Sequence, residues 1–131
     1  MLEYFEKLKL AILNEDFLET EEILEIILNT DLAFEYVSPI LNIMESNPDL
    51  DYGMPGPLVH FLERFYKKGY EKLLIDSVSK NPTLQTIQMI KRIINDPSLQ
   101  DRNVYLNLLE DILNKDDIDD YIKNEVFDLL F

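Results

Sequence analysis

His60 is the only histidine of the 131-residue chain, and there is no cysteine. A His-based triad, a His-pair zinc site and a Cys-His nucleophile are therefore excluded or left without partners. Absence of Cys also removes disulfides and thiolate metal sites. Chemistry, if any, would have to rest on carboxylates. Asp116, Asp117, Asp119 and Asp120 form the densest acidic run, but it lacks the ligand spacing and central glycine of a calcium loop and reads as a charged helix start. Gly53-Met54-Pro55-Gly56 precedes a helix as phosphate-binding loops do, yet no strand leads into it and it has no lysine and no third glycine. No cofactor and no metal are expected, and the chain does not read as an enzyme.

What the sequence offers instead is charge. The net charge is −14, unevenly spread: residues 1–51 carry −11, residues 52–102 carry +3 and residues 103–131 carry −6. Phosphate backbones and anionic membranes repel such a surface except at the middle block, whereas a basic protein is its natural complement. The bland alternative is that acidity only keeps the chain soluble. The densest acids lie on a helix over Asp16 to Asn29. On the helical wheel, Phe17, Ile23, Leu24, Ile26, Ile27 and Leu28 are assigned to an expected buried half, and Glu15, Glu19, Glu21, Glu22 and Glu25 to the other. Solvated helices usually alternate signs to gain i, i+4 pairs; here no Lys or Arg lies between Lys9 and Arg64. The face is either a docking surface or simply wet.

A second feature stands beside it. Pro48 to Phe61 holds two of three glycines and three of six prolines, so the chain must turn there and restart a helix near Pro57. Surface loops of this kind often carry function. His60 reads either as a surface residue ordering the loop or, with Tyr52, Asp49 and Asp51, as a polar and aromatic anchor at an interface centre.

The elements that must position these residues are helices. Apolar spacing and punctuation predict a first helix over Leu2 to Leu13, closed by Asn14, and then Asp16 to Asn29. Asp31 to Ser46 follows, N-capped by Asp31 and split at Ser38-Pro39. A helix from Pro57 keeps its apolar repeat through Phe65 and Tyr66, with Gly69 ending or bending it. Tyr70 to Lys80 comes next, then Pro82 to Asn95 capped by Asn81 with a core side including Leu84, Leu99 to Leu113, and a last helix from Asp116. The expected fold is all-α, with eight or nine helices in an irregular HEAT- or armadillo-like stack of hairpins, or else a compact irregular bundle. Length and 47% apolar content suit a single domain over 1–131. No apolar run approaches the roughly 18 residues of a membrane span, and Glu3 and Glu6 interrupt the N-terminal apolar pattern, against a signal peptide; a cytoplasmic location is expected.

The run Asp51-Tyr52-Gly53, then Pro55-Gly56-Pro57-Leu58-Val59-His60-Phe61 with Glu63, followed by Asn81-Pro82-Thr83, resembles small α-helical immunity proteins of bacterial polymorphic-toxin and contact-dependent inhibition systems. The likeness spans about residues 49–95. It implies a cytoplasmic, non-enzymatic protein that binds one cognate toxin domain, often a nuclease, and blocks its active site or substrate path. In that reading Glu19, Glu22, Glu25, Asp49 and Asp51 meet toxin Lys or Arg, and Tyr52 and His60 anchor the contact. A helical adaptor for another protein, a carboxylate-dependent enzyme or metal protein, and an acidic DNA mimic are the competing readings.

Overall fold

The computed structural model describes residues 2–131. It is all-α: α1 Phe5–Leu13, α2 Phe17–Leu28, a 3-10 turn Ala33–Tyr36, α3 Val37–Ser46, α4 Gly56–Glu63, α5 Tyr70–Lys80, α6 Leu84–Ile94, α7 Arg102–Leu113 and α8 Asp120–Leu130, with no strand among the described residues. None of these helices is long and apolar enough to cross a membrane. The chain packs as two compact units, Met1–Leu73 and Leu74–Phe131, with the boundary inside α5.

In the first unit α1 packs on α2, and α2 packs on α4. Leu8 and Ile12 of α1, Ile23, Leu24 and Ile27 of α2, and Leu58 and Leu62 of α4 are buried. Asp16 caps the start of α2, its Oδ1 accepting from the Glu19 N–H at 3.1 Å. Several sequence boundaries shift. The first helix starts at Phe5, not Leu2, and Leu10 and Leu13 are exposed because only the Leu8–Ala11–Ile12 stripe faces inward. Asp31 caps nothing: the position before the 3-10 turn is Leu32, with no side-chain cap. Ser38-Pro39 does not split the segment either. The break falls at Tyr36–Val37, which leaves Pro39 in the first turn of α3, where a missing N–H costs no helical bond. Helix α4 ends at Glu63 and turns carry the chain to Gly69. Phe65 keeps its place in the core edge by packing edge-to-face on Phe34 and Phe61, at 5.4 and 5.5 Å between ring centroids.

In the second unit α6, α7 and α8 each contact the other two. Their inward sides include Ile87, Met89 and Ile90, then Tyr105 and Leu109, then Ile122 and Val126. The cap of α6 is Thr83, not Asn81: Thr83 Oγ1 accepts from the Thr86 N–H, and the Thr83 N–H donates to Thr86 Oγ1, both at 3.1 Å. This is a reciprocal capping box with Thr in the place usually held by Glu. It turns Leu84 outward, 41% exposed, against the expected core role. Helix α7 starts at Arg102, three residues later than expected. Its guanidinium donates to the carbonyls of Ile94 and Asp96, closing the end of α6. Helix α8 starts at Asp120, so Asp116 and Asp117 lie before it and only Asp119 and Asp120 meet its N-terminal dipole.

Candidate functional site

Helix α2 and the loop from Asn47 to Pro55 come together in the first unit. The loop is braced from both ends. Glu15 has φ +55 in the α1–α2 corner, and its Oε2 accepts from the Asp51 N–H at 2.8 Å. The Asp51 Oδ1 accepts from the Gly53 N–H at 2.9 Å, and the Tyr52 hydroxyl donates to the Asn47 carbonyl at 2.6 Å. Gly53 has φ +89, and a Cβ there would stand 2.6 Å from the Gly56 Cα, so the turn closes only around glycine. Tyr52 is buried; that burial, and then the nearby Glu15 charge, push its phenol up to about 12. The crevice between Glu15, Asp51, Tyr52 and Pro57 holds only about 10 Å³, room for about one water. It is a seam of the fold, too small for a ligand.

The braced loop presents Met54 fully exposed at its tip. Beside it, α2 turns an unusual face outward. Leu18 and Ile26 are 68% and 48% exposed, and with Glu22 they form one line at i, i+4 and i+8. Glu21 and Glu25 flank that line on one side and Glu19 on the other, all exposed. Between α2 and α4 runs a groove of about 430 Å³. Glu21 and Glu25 form its α2 wall, His60 and Arg64 its α4 wall, and Leu24, Leu28 and Phe61 its floor. Phe17 and Pro57 line both this groove and the Tyr52 crevice, so loop and groove form one continuous surface.

Of the residues singled out from sequence, Glu19, Glu22 and Glu25 share the outer face of α2, and Asp49 is exposed on the loop. Glu25 and His60 both line the groove, one from α2 and one from α4. Asp51 is exposed but uses its Oδ1 to hold the Gly53 N–H, and the Tyr52 hydroxyl points into the loop, where it holds the Asn47 carbonyl. Tyr52, 4% exposed, offers little surface to an approaching molecule. Glu15 leaves the acidic arc for the same structural duty. Ile26, assigned from sequence to the buried half, is exposed: at about 100° per residue it falls between Glu15 and Glu19, outside the inward stripe of Thr20, Ile23, Leu24 and Ile27. Leu18, Ile26, Met54 and Arg64 were not recognised as part of this surface. Leu18 and Ile26 carried a signal, as apolar residues that fall among the glutamates of the wheel.

Among the described residues, no three His, Asp or Glu side chains converge as they would around a metal ion. No protein-family model, curated protein or solved structure matches the chain.

Proposed function

We propose that this chain is a non-catalytic binding protein that neutralises a basic protein domain, in the manner of the immunity proteins its Gly/Pro run resembles. One observation carries the reading: Leu18 and Ile26 are exposed in line with Glu22, between Glu19 and Glu25, on a helix with no cation of its own. Apolar side chains left in water amid charges of one sign match the make-up of an interface, in which an apolar centre gives affinity and a charged rim gives orientation and on-rate. Met54 extends the apolar contact, since an unbranched thioether adapts to varied partners. The partner domain is a toxin, and a nuclease fits best, because a groove that holds phosphates must be basic. Inhibition is steric and electrostatic: the acidic helix lies over the partner's cationic groove and excludes its substrate.

Co-purification with the product of the adjacent gene, followed by calorimetric titration, tests this. The affinity should fall by at least about tenfold between low and high salt. Glu19→Lys with Glu22→Lys should abolish capture while leaving the circular dichroism spectrum unchanged, because both side chains are exposed. Binding that is insensitive to both salt and charge reversal would overturn the proposal.

A further inference from the structure

The α2–α4 groove has a pattern more specific than acidity. Glu21 and Glu25 stand one helical turn apart on one wall, and His60 and Arg64 stand one turn apart on the other, with Leu24, Leu28 and Phe61 between them. Opposite signs therefore face each other across an apolar floor, in the one part of this surface where a cation is present. A purely basic partner would satisfy only the α2 wall and would meet Arg64 as a like charge. The geometry points to a particular occupant: a segment of a protein partner in which one apolar side chain is flanked by Lys or Arg on one side and by Asp or Glu on the other. The apolar side chain enters over Leu24 and Phe61, the cation meets Glu21 and Glu25, and the carboxylate meets Arg64 and His60. A volume of about 430 Å³ suits a few residues of peptide rather than a whole helix. The inference rests on reading the chain as a protein-binding module, not on the partner being a toxin.

Capped tripeptides provide the probe: acetyl-Lys-Leu-Glu-amide and acetyl-Glu-Leu-Lys-amide, which cover both chain directions, against acetyl-Lys-Leu-Lys-amide, acetyl-Glu-Leu-Glu-amide and acetyl-Lys-Ser-Glu-amide. Titration into the ¹⁵N-labelled full chain should give saturable amide shifts confined to residues 17–28 and 56–64, with the better mixed-charge leucine peptide binding tightest. Replacing its leucine by serine should weaken binding by about tenfold or more, and either single-sign peptide should bind more weakly by at least about threefold. In the exposed double variant Glu21→Lys with Glu25→Lys both walls become cationic, and the preference should move to acetyl-Glu-Leu-Glu-amide. Equal affinity for acetyl-Lys-Leu-Lys-amide, equal affinity for the serine peptide, or no saturable shift up to about 20 mM would each overturn the inference. Glu19 and Glu22 do not line the groove, so failure of their charge-reversal test and failure of this one are separate results.

Discussion

Replacing Tyr52 by Phe isolates the brace that holds the docking loop, because the change removes one hydroxyl and keeps the ring. That hydroxyl donates to the Asn47 carbonyl at 2.6 Å from a side chain only 4% exposed. Its loss should cost about 1–2 kcal/mol near neutral pH, since it forfeits the bond and leaves the carbonyl without this donor. The same hydroxyl makes the difference between the two proteins depend on pH in a defined direction. Burial first, and Glu15 second, raise the phenol from 10.0 to about 12 in the folded state. Below about pH 10 both the folded and unfolded chains keep the proton, and the stabilisation is complete. Between about pH 10 and about pH 12 the unfolded chain has released it and the folded chain has not, so stability falls by about 1.4 kcal/mol per pH unit and by about 2.7 kcal/mol in all. The Phe variant lacks this loss. Every contribution common to the two proteins cancels in the difference. Urea unfolding followed by circular dichroism should therefore show wild type ahead by about 1–2 kcal/mol at about pH 8, a gap narrowed by about 1.4 kcal/mol at about pH 11, and a reversal near pH 12. Glu15→Gln can still accept the Asp51 N–H and lowers the folded phenol's pKa, so the alkaline loss should begin at the same pH but end sooner and be smaller in total. A wild-type advantage that is constant with pH would refute the assignment of the buried phenol, and a variant as stable as wild type at neutral pH would refute the brace.

Two further substitutions test the local geometry. Gly53→Ala should destabilise by about 2–4 kcal/mol by thermal or urea unfolding, more than Gly69→Ala; the added Cβ at 53 meets backbone at 2.6 Å, whereas at 69 it meets the Phe34 ring end at 2.9 Å, and that ring can move. Similar losses at both sites would mean that positive φ, rather than contact, sets the cost. Thr83→Ala should cost about 1–2 kcal/mol, because it leaves the Thr86 N–H without its acceptor in a buried position. A Thr83→Ala variant as stable as wild type would return the cap to Asn81.

Helical periodicity was enough to place all eight α-helices and to identify α2 as an acidic helix, because 3.6-residue spacing is a local property of the chain. Asp16 and Asn29 were legible as the ends of α2 for the same reason: a cap depends on residues only three or four positions away. Punctuation misled where packing decided. Asn81-Pro82 read as the start of α6, but Thr83 and Thr86 cap each other and are themselves buried, so the helix starts later. Pro39 looked like a break and was accommodated because the preceding 3-10 turn placed it where no donor is needed. Composition and spacing by themselves thus determined an all-helical chain with a cation-free acidic segment and one Gly/Pro loop. Only the tertiary structure decided which of those acids face outward and which serve the fold. Glu15 and Asp51 spend their oxygens on backbone N–H groups from residues distant or adjacent in sequence, Tyr52 is buried, and Arg64 is brought across from Glu21 and Glu25 by the packing of α4 on α2. A wheel drawn for one helix already sets Leu18 and Ile26 among the glutamates, and both remain in water; what it does not contain is the partner helix, so only the packing of α4 on α2 shows that Arg64 and His60 share a groove with Glu21 and Glu25.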